Sequence, residues 1–122
     1  MDAATMMNRL ASVIDAHERD ALTGLSHENF VCRLVHTGEV FDRASWVRLN
    51  AEYPGFERLV LQDCVATDTR AVGRSHVTGR VDEQPAQYEV ATFITLRAGL
   101  IVEMTEVWAD VQSGPSSSPR PV

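Results

Sequence analysis

Apolar and polar residues alternate along two runs late in the chain, Gln87 to Leu96 (QYEVATFITL) and Leu100 to Asp110 (LIVEMTEVWAD), separated by Arg97-Ala98-Gly99. A period of two with β-branched and aromatic residues on both faces marks strands inside a sheet. Gly99 supplies the positive φ that a tight connection needs, so the two runs predict a β-hairpin. In its second strand Val102, Met104, Glu106 and Trp108 share one face, and Ile101, Glu103, Thr105 and Val107 share the other. Each face therefore carries one acid among apolar neighbours.

Upstream the period changes. Met6, Met7, Leu10, Val13, Ile14 and His17 recur at steps of three and four, which predicts an amphipathic helix from about Ala3 to Glu18 with His17 on its buried face. Asp20 is placed to cap a short second helix over Ala21 to Leu25. Phe30 to His36 reads as a first strand and Thr37-Gly38-Glu39 as a turn. Asp42 then caps a helix with Trp46, Leu49 and Tyr53 on one stripe, stopped by Pro54-Gly55. Phe56 to Thr67 and Ala71 to Val81 precede the hairpin, giving the order ααβαββββ. Helices segregated from strands indicate an α+β fold, with a curved, mostly antiparallel sheet wrapped around N-terminal helices. Gly73 and Gly79 are expected to mark bulges in the third strand. The tail VQSGPSSSPRPV has almost no apolar content, so residues 1–112 are read as one domain and 113–122 as a disordered tail.

Composition narrows the function classes. The formal charge of −6 argues against nucleic acid or an anionic membrane as partner. No apolar run approaches the ~20 residues that cross a bilayer. The start MDAATMMNRL is not an export signal, so a cytoplasmic location is expected. Cys32 and Cys64 lack metal-ligand spacing and read as small buried thiols. The histidines show no HxH or HExxH spacing, and no phosphate-cradling or nucleophile-elbow motif occurs, so neither metal nor cofactor is expected.

The string LSHENFVCRLVHTGEVFDRASWV, followed by strands ending IVEMTEVWAD, resembles the nuclear transport factor 2-like superfamily. More narrowly, it resembles the branch of SnoaL-like polyketide cyclases and ketosteroid isomerases. The resemblance implies a cone-shaped α+β barrel with a pocket between the long helix and the concave sheet, as a homodimer. The positions that carry the oxyanion tyrosine, the base aspartate and the neutral aspartic donor in ketosteroid isomerases fall near Leu10, Leu34 and Thr92. None of these has the required chemistry, so steroid isomerisation is not implied. The acid on the last strand of the polyketide cyclases falls on Glu106. Their histidine on the preceding strand falls on Thr92, where this chain departs from the pattern.

The same overlay puts Met104, Glu106 and Trp108 on the pocket side, opposite Tyr88, Val90, Thr92 and Ile94. Alternation in the third strand adds Val72, Arg74, His76 and Thr78. Glu106 is then the candidate acid–base group, since an apolar pocket raises a carboxyl pKa toward a useful value. His76 is the candidate base oriented by it. The competing reading pairs Glu106 with Arg74 or His76 as a structural ion pair. His36 and Tyr53 are placed at the pocket mouth, and Arg74, Tyr88, Val90, Thr92, Met104 and Trp108 are candidate substrate contacts. The ligand this describes is a small apolar molecule with a polar end. It is turned over by proton transfer, as in cyclisation, isomerisation or dehydration, or else carried without reaction by a ligand-binding or dimerising accessory protein. The convex face, assigned Glu89, Ala91, Phe93, Thr95, Ile101, Glu103, Thr105 and Val107, is the expected homodimer surface.

Overall fold

The computed structural model describes residues 1–111; the tail 113–122, expected to be disordered, lies outside the described residues, as does the last residue of the expected domain. Helix α1 (Ala3–Asp15) opens with Asp2, whose carboxylate accepts from the Thr5 N–H at 2.8 Å. Its Met6, Met7, Leu10 and Val13 are buried, as their spacing requires. The helix stops at Asp15 rather than Glu18, because His17 takes a left-handed backbone at φ 59°. His17 is therefore exposed beyond the helix and not on its buried face. A 3₁₀ turn (Arg19–Ala21) and the short helix α2 (Leu22–Leu25) follow, and Asp20 lies inside the turn without capping anything.

The sheet has six strands: β1 (Ser26–Leu34), β2 (Val40–Asp42), β3 (Phe56–Ala66), β4 (Arg70–Val81), β5 (Gln84–Arg97) and β6 (Leu100–Asp110). Helix α3 (Arg43–Glu52) intervenes after β2, with a reciprocal capping box between Asp42 and Ser45, and ends where Tyr53-Pro54-Gly55 turns away. The spatial order is β2-β1-β6-β5-β4-β3, with β1 parallel to β6 and every other pair antiparallel. This is the expected α+β cone, although the sheet stays open between β2 and β3 and does not close into a barrel. The three-residue β2 escapes detection in the sequence because it carries a single half-buried residue, Phe41.

Burial fixes which way each strand faces. In β4 the core side is Ala71, Gly73, Ser75, Val77 and Gly79, so Val72, Arg74 and His76 stand on the outer, convex face, the reverse of the alternation expected from sequence. The glycines mislead in a second way. The register shifts between β3 and β4 fall on the β3 side, skipping Glu57 and Gln62, while β4 runs against β5 without interruption. Gly73 is small because α1 crosses it: a Cβ there would lie 2.8 Å from Met7 Sδ. In β6 a register shift near Val102 brings Ile101 opposite Leu96, so Ile101 is fully buried in the core and not on the convex face. Cys32 is buried on β1, Cys64 is half-buried on β3, and both are free thiols.

Candidate functional site

Glu106 sits where the sheet is most constrained. Its strand β6 lies between β5 and β1, with Thr92 and Leu34 as its lateral partners. Its backbone carbonyl accepts the Val35 N–H at 3.0 Å, so the side chain's direction is set by pairing on both sides. Above it, α1 and α3 stand off the concave face and leave a cavity of about 910 Å³. Met7, Leu10, Trp46, Leu49, Val77 and Met104 give this cavity a largely apolar wall, within the size range of small-molecule sites. Glu106, Thr92 and Ser75 bring polar atoms to it.

The electrostatics of Glu106 follow from this placement. Burial pushes its carboxyl up to about 7, opposed by hydrogen bonds from the Trp108 and Thr92 side chains; it forms no ion pair among the described residues. The Thr92 hydroxyl is 3.5 Å from Oε2, at the long limit of a hydrogen bond, so the carboxylate is weakly solvated by protein. The residue keeps some accessible surface because it faces the cavity. It is thus a carboxyl near half-ionisation at neutral pH, able to hold or take a proton.

A carboxyl whose pKa rises on folding binds its proton more tightly in the native state than in the unfolded chain. Between pH 4.5 and 7 the native state therefore holds more protons, and stability falls as pH rises through that window. The loss attributable to Glu106 is up to about 3 kcal/mol, flattening above pH 7. Urea melts of the wild type and Glu106→Gln at pH 5, 6, 7 and 8 should show the variant gaining relative stability with each step. A difference independent of pH would mean that Glu106 ionises as an ordinary surface acid.

The other sequence-predicted residues divide cleanly. Tyr88, Thr92, Met104 and Trp108 line the same cavity as Glu106. Tyr88 and Trp108 meet edge-on with ring centroids 5.9 Å apart, and His36 approaches Trp108 at 6.5 Å, forming one lip of the opening. Tyr53, 56% exposed, lies at the mouth. Val90 is on the concave face but packed beneath the cavity and does not line it. Arg74 and His76 are not in the site at all. On the convex side, His76 Nδ1 lies 2.6 Å from Glu89 Oε2, and Arg74 donates to Glu89 Oε1 at 2.9 Å and to Gln62. Neither can pair with Glu106 through the sheet, so both the oriented-base reading and the structural ion-pair reading fall. Ser75 was hidden by the same slip of register. The small-residue run Ala71, Gly73 and Ser75 could have revealed it, since only small side chains fit beneath a crossing helix.

An open α+β cone enclosing a cavity under its first helix defines a domain of the nuclear transport factor 2-like type. The chain belongs to the SnoaL-like domain family, which matches residues 7–104. No curated protein matches the chain in sequence. Solved structures do. A provisionally assigned ketosteroid isomerase from Kribbella flavida superposes with a TM-score of 0.76 at 19% identity, covering 97% of this chain and 89% of its own. IdmH from Streptomyces antibioticus, provisionally assigned as a polyketide cyclase, gives 0.74 at 18% identity, covering 86% and 90%. An epoxide hydrolase from M. tuberculosis gives 0.73 at 11%, covering 86% and 80%. At these identities the likeness is one of fold, and relatives named for different chemistries share it.

Proposed function

We propose that the protein is a cofactor-free proton-transfer enzyme acting on an apolar molecule with a polar end, with Glu106 as its acid–base group. Cyclisation, isomerisation and dehydration are the reaction types that one such group serves. The observation that carries the reading is a carboxyl with a pKa near 7 on the floor of a largely apolar cavity, in no ion pair among the described residues. The names of the structural relatives add polyketide-like and steroid-like compounds to the substrates worth screening, together with terpenoids. The test is turnover of such a panel by the wild type and by Glu106→Gln. A second reading, a carrier that binds without reacting, is favoured by one observation: the side chains that hydrogen-bond to Glu106, those of Thr92 and Trp108, are poor proton-transfer partners. Equal binding by both proteins with no turnover would decide for the carrier.

We also propose a two-fold homodimer through the convex face. Phe93 and Val107 are 43% and 42% exposed there, and Phe93 lines up through Val72 with Val65, 67% exposed; an apolar strip of this kind is seldom left in water. Light scattering at micromolar concentration should give twice the chain mass for the wild type and a monomer for Phe93→Glu. A monomeric wild type removes the proposal.

A further inference from the structure

Every arginine with a clear ion pair in this molecule spends its charge on the surface: Arg58 on Asp15, Arg74 on Glu89 and, more loosely, Arg80 on Glu57. Arg19 is different. It is half-buried, lines the cavity, and has no ion-pair partner among the described residues. Among the described residues its side chain hydrogen-bonds to His17. His17 Nε2 is 2.8 Å from the Glu57 carbonyl oxygen, so that nitrogen carries the hydrogen and donates; Nδ1 is left as an acceptor for Arg19 Nη2 at 3.3 Å. The His17 ring also packs on Phe56, itself a cavity residue, with centroids 5.0 Å apart.

This arrangement is held at a cost. His17 adopts φ 59°, a left-handed conformation uncommon for a non-glycine residue though one that histidine enters more readily than most. What the turn achieves is to bring an imidazole acceptor beneath a guanidinium that is always charged and belongs to a residue on the edge of a largely apolar cavity. An unpaired cation there is poorly stabilised by protein and calls for an anion from outside.

The rest of the lining decides which anion. The lining also holds Arg80, loosely paired with Glu57, but Glu39, Asp82 and Asp110 are exposed on it as well, so they disfavour a multiply charged ligand and leave a single negative charge as the best match for the unpaired Arg19 guanidinium. A carboxylate fits that fork in two parallel hydrogen bonds. No ion pair joins Arg19 to Glu106 although both line the cavity, so the arginine and the acid are separate contact points.

We infer that Arg19, oriented by His17, anchors the carboxylate of an apolar carboxylic acid bound in the cavity. The inference rests on the reading of the cavity as a ligand site, and it names the polar end of the ligand. Fluorescence titration with 1-pyrenebutyric acid and with its methyl ester at pH 7 separates the two ideas. The wild type should bind the acid about tenfold more tightly than the ester, the effect of one charge-assisted contact in a partly open site. Arg19→Gln should bring the ratio of the two affinities to about one, and Arg19→Lys should retain part of the preference. His17→Leu, which removes the acceptor, should reduce the ratio without abolishing it. A circular dichroism melt of each variant establishes that the fold is kept. Wild type that binds acid and ester equally overturns the anchor and leaves the cavity as a ligand site. An acid preference unchanged in Arg19→Gln also overturns it. Failure of the wild type to bind either compound overturns the inference together with the ligand-site reading.

Discussion

Glu106→Gln should lower kcat by about 10² to 10⁴ on whichever compound the wild type turns over, with a much smaller change in the binding of that compound. The amide keeps the shape of the carboxyl and can still accept from Thr92, so what is removed is the capacity to take and return a proton. The carboxyl's pKa near 7 sharpens the test, because activity limited by its ionisation should rise or fall through neutral pH, and the variant should lose that inflection. Single-turnover measurements separate the proton-transfer step from release. Full turnover by Glu106→Gln would assign the acid a structural or binding role and end the proposal that it is the acid–base group. His76 offers no fallback, being committed to Glu89 on the other side of the sheet.

What could be read before folding, and what could not, follows from how many constraints each strand carries. β5 and β6 face helices on one side and are lined by apolar residues on both. Alternation within each strand therefore made Tyr88 with Thr92, and Met104 with Glu106 and Trp108, legible as face-mates, although the turn at Gly99 alone does not set the register between them. β4 has polar residues of similar character on both faces: Arg74, His76 and Thr78 against Ser75 and two glycines. With no large apolar side chain to break the tie, a one-residue choice reverses the strand, and His76 and Arg74 went to the wrong face. The shift at Val102 is likewise invisible locally, since Ile101 and Val102 are equally suited to a core. Arg19 lay outside any periodic pattern. Its position depends on a left-handed turn at a histidine, a residue that gives no sequence signal of the kind glycine gives.

The largest stability effect should come from Gly55→Ala. Gly55 follows Tyr53-Pro54 at the end of α3, with φ 79°, and its carbonyl accepts the Arg80 N–H at 2.8 Å, tying the chain to β4 at the rim of the cavity. A Cβ at Gly55 would run into the carbonyl of Arg80, which is backbone in a paired strand and cannot move aside. The left-handed conformation adds about 1–2 kcal/mol for any residue with a Cβ. Together the two effects should cost about 3 kcal/mol or more, a large part of the stability of a domain this size. Gly79→Ala meets the reciprocal obstacle, the Gly55 carbonyl, without the positive φ, and should cost less, about 2 kcal/mol. Gly73→Ala presses on side-chain atoms of Met7 and Leu61 rather than on backbone and should cost still less. Gly24→Ala, inside α2 with open space around it, should be neutral or stabilise by up to about 1 kcal/mol. Urea unfolding of the four variants should rank Gly55, Gly79, Gly73, Gly24 from most to least destabilised. If Gly55→Ala unfolds at the wild-type midpoint, the backbone crossing of Gly55 over Arg80 does not hold in solution, and neither does the rim of the cavity that depends on it.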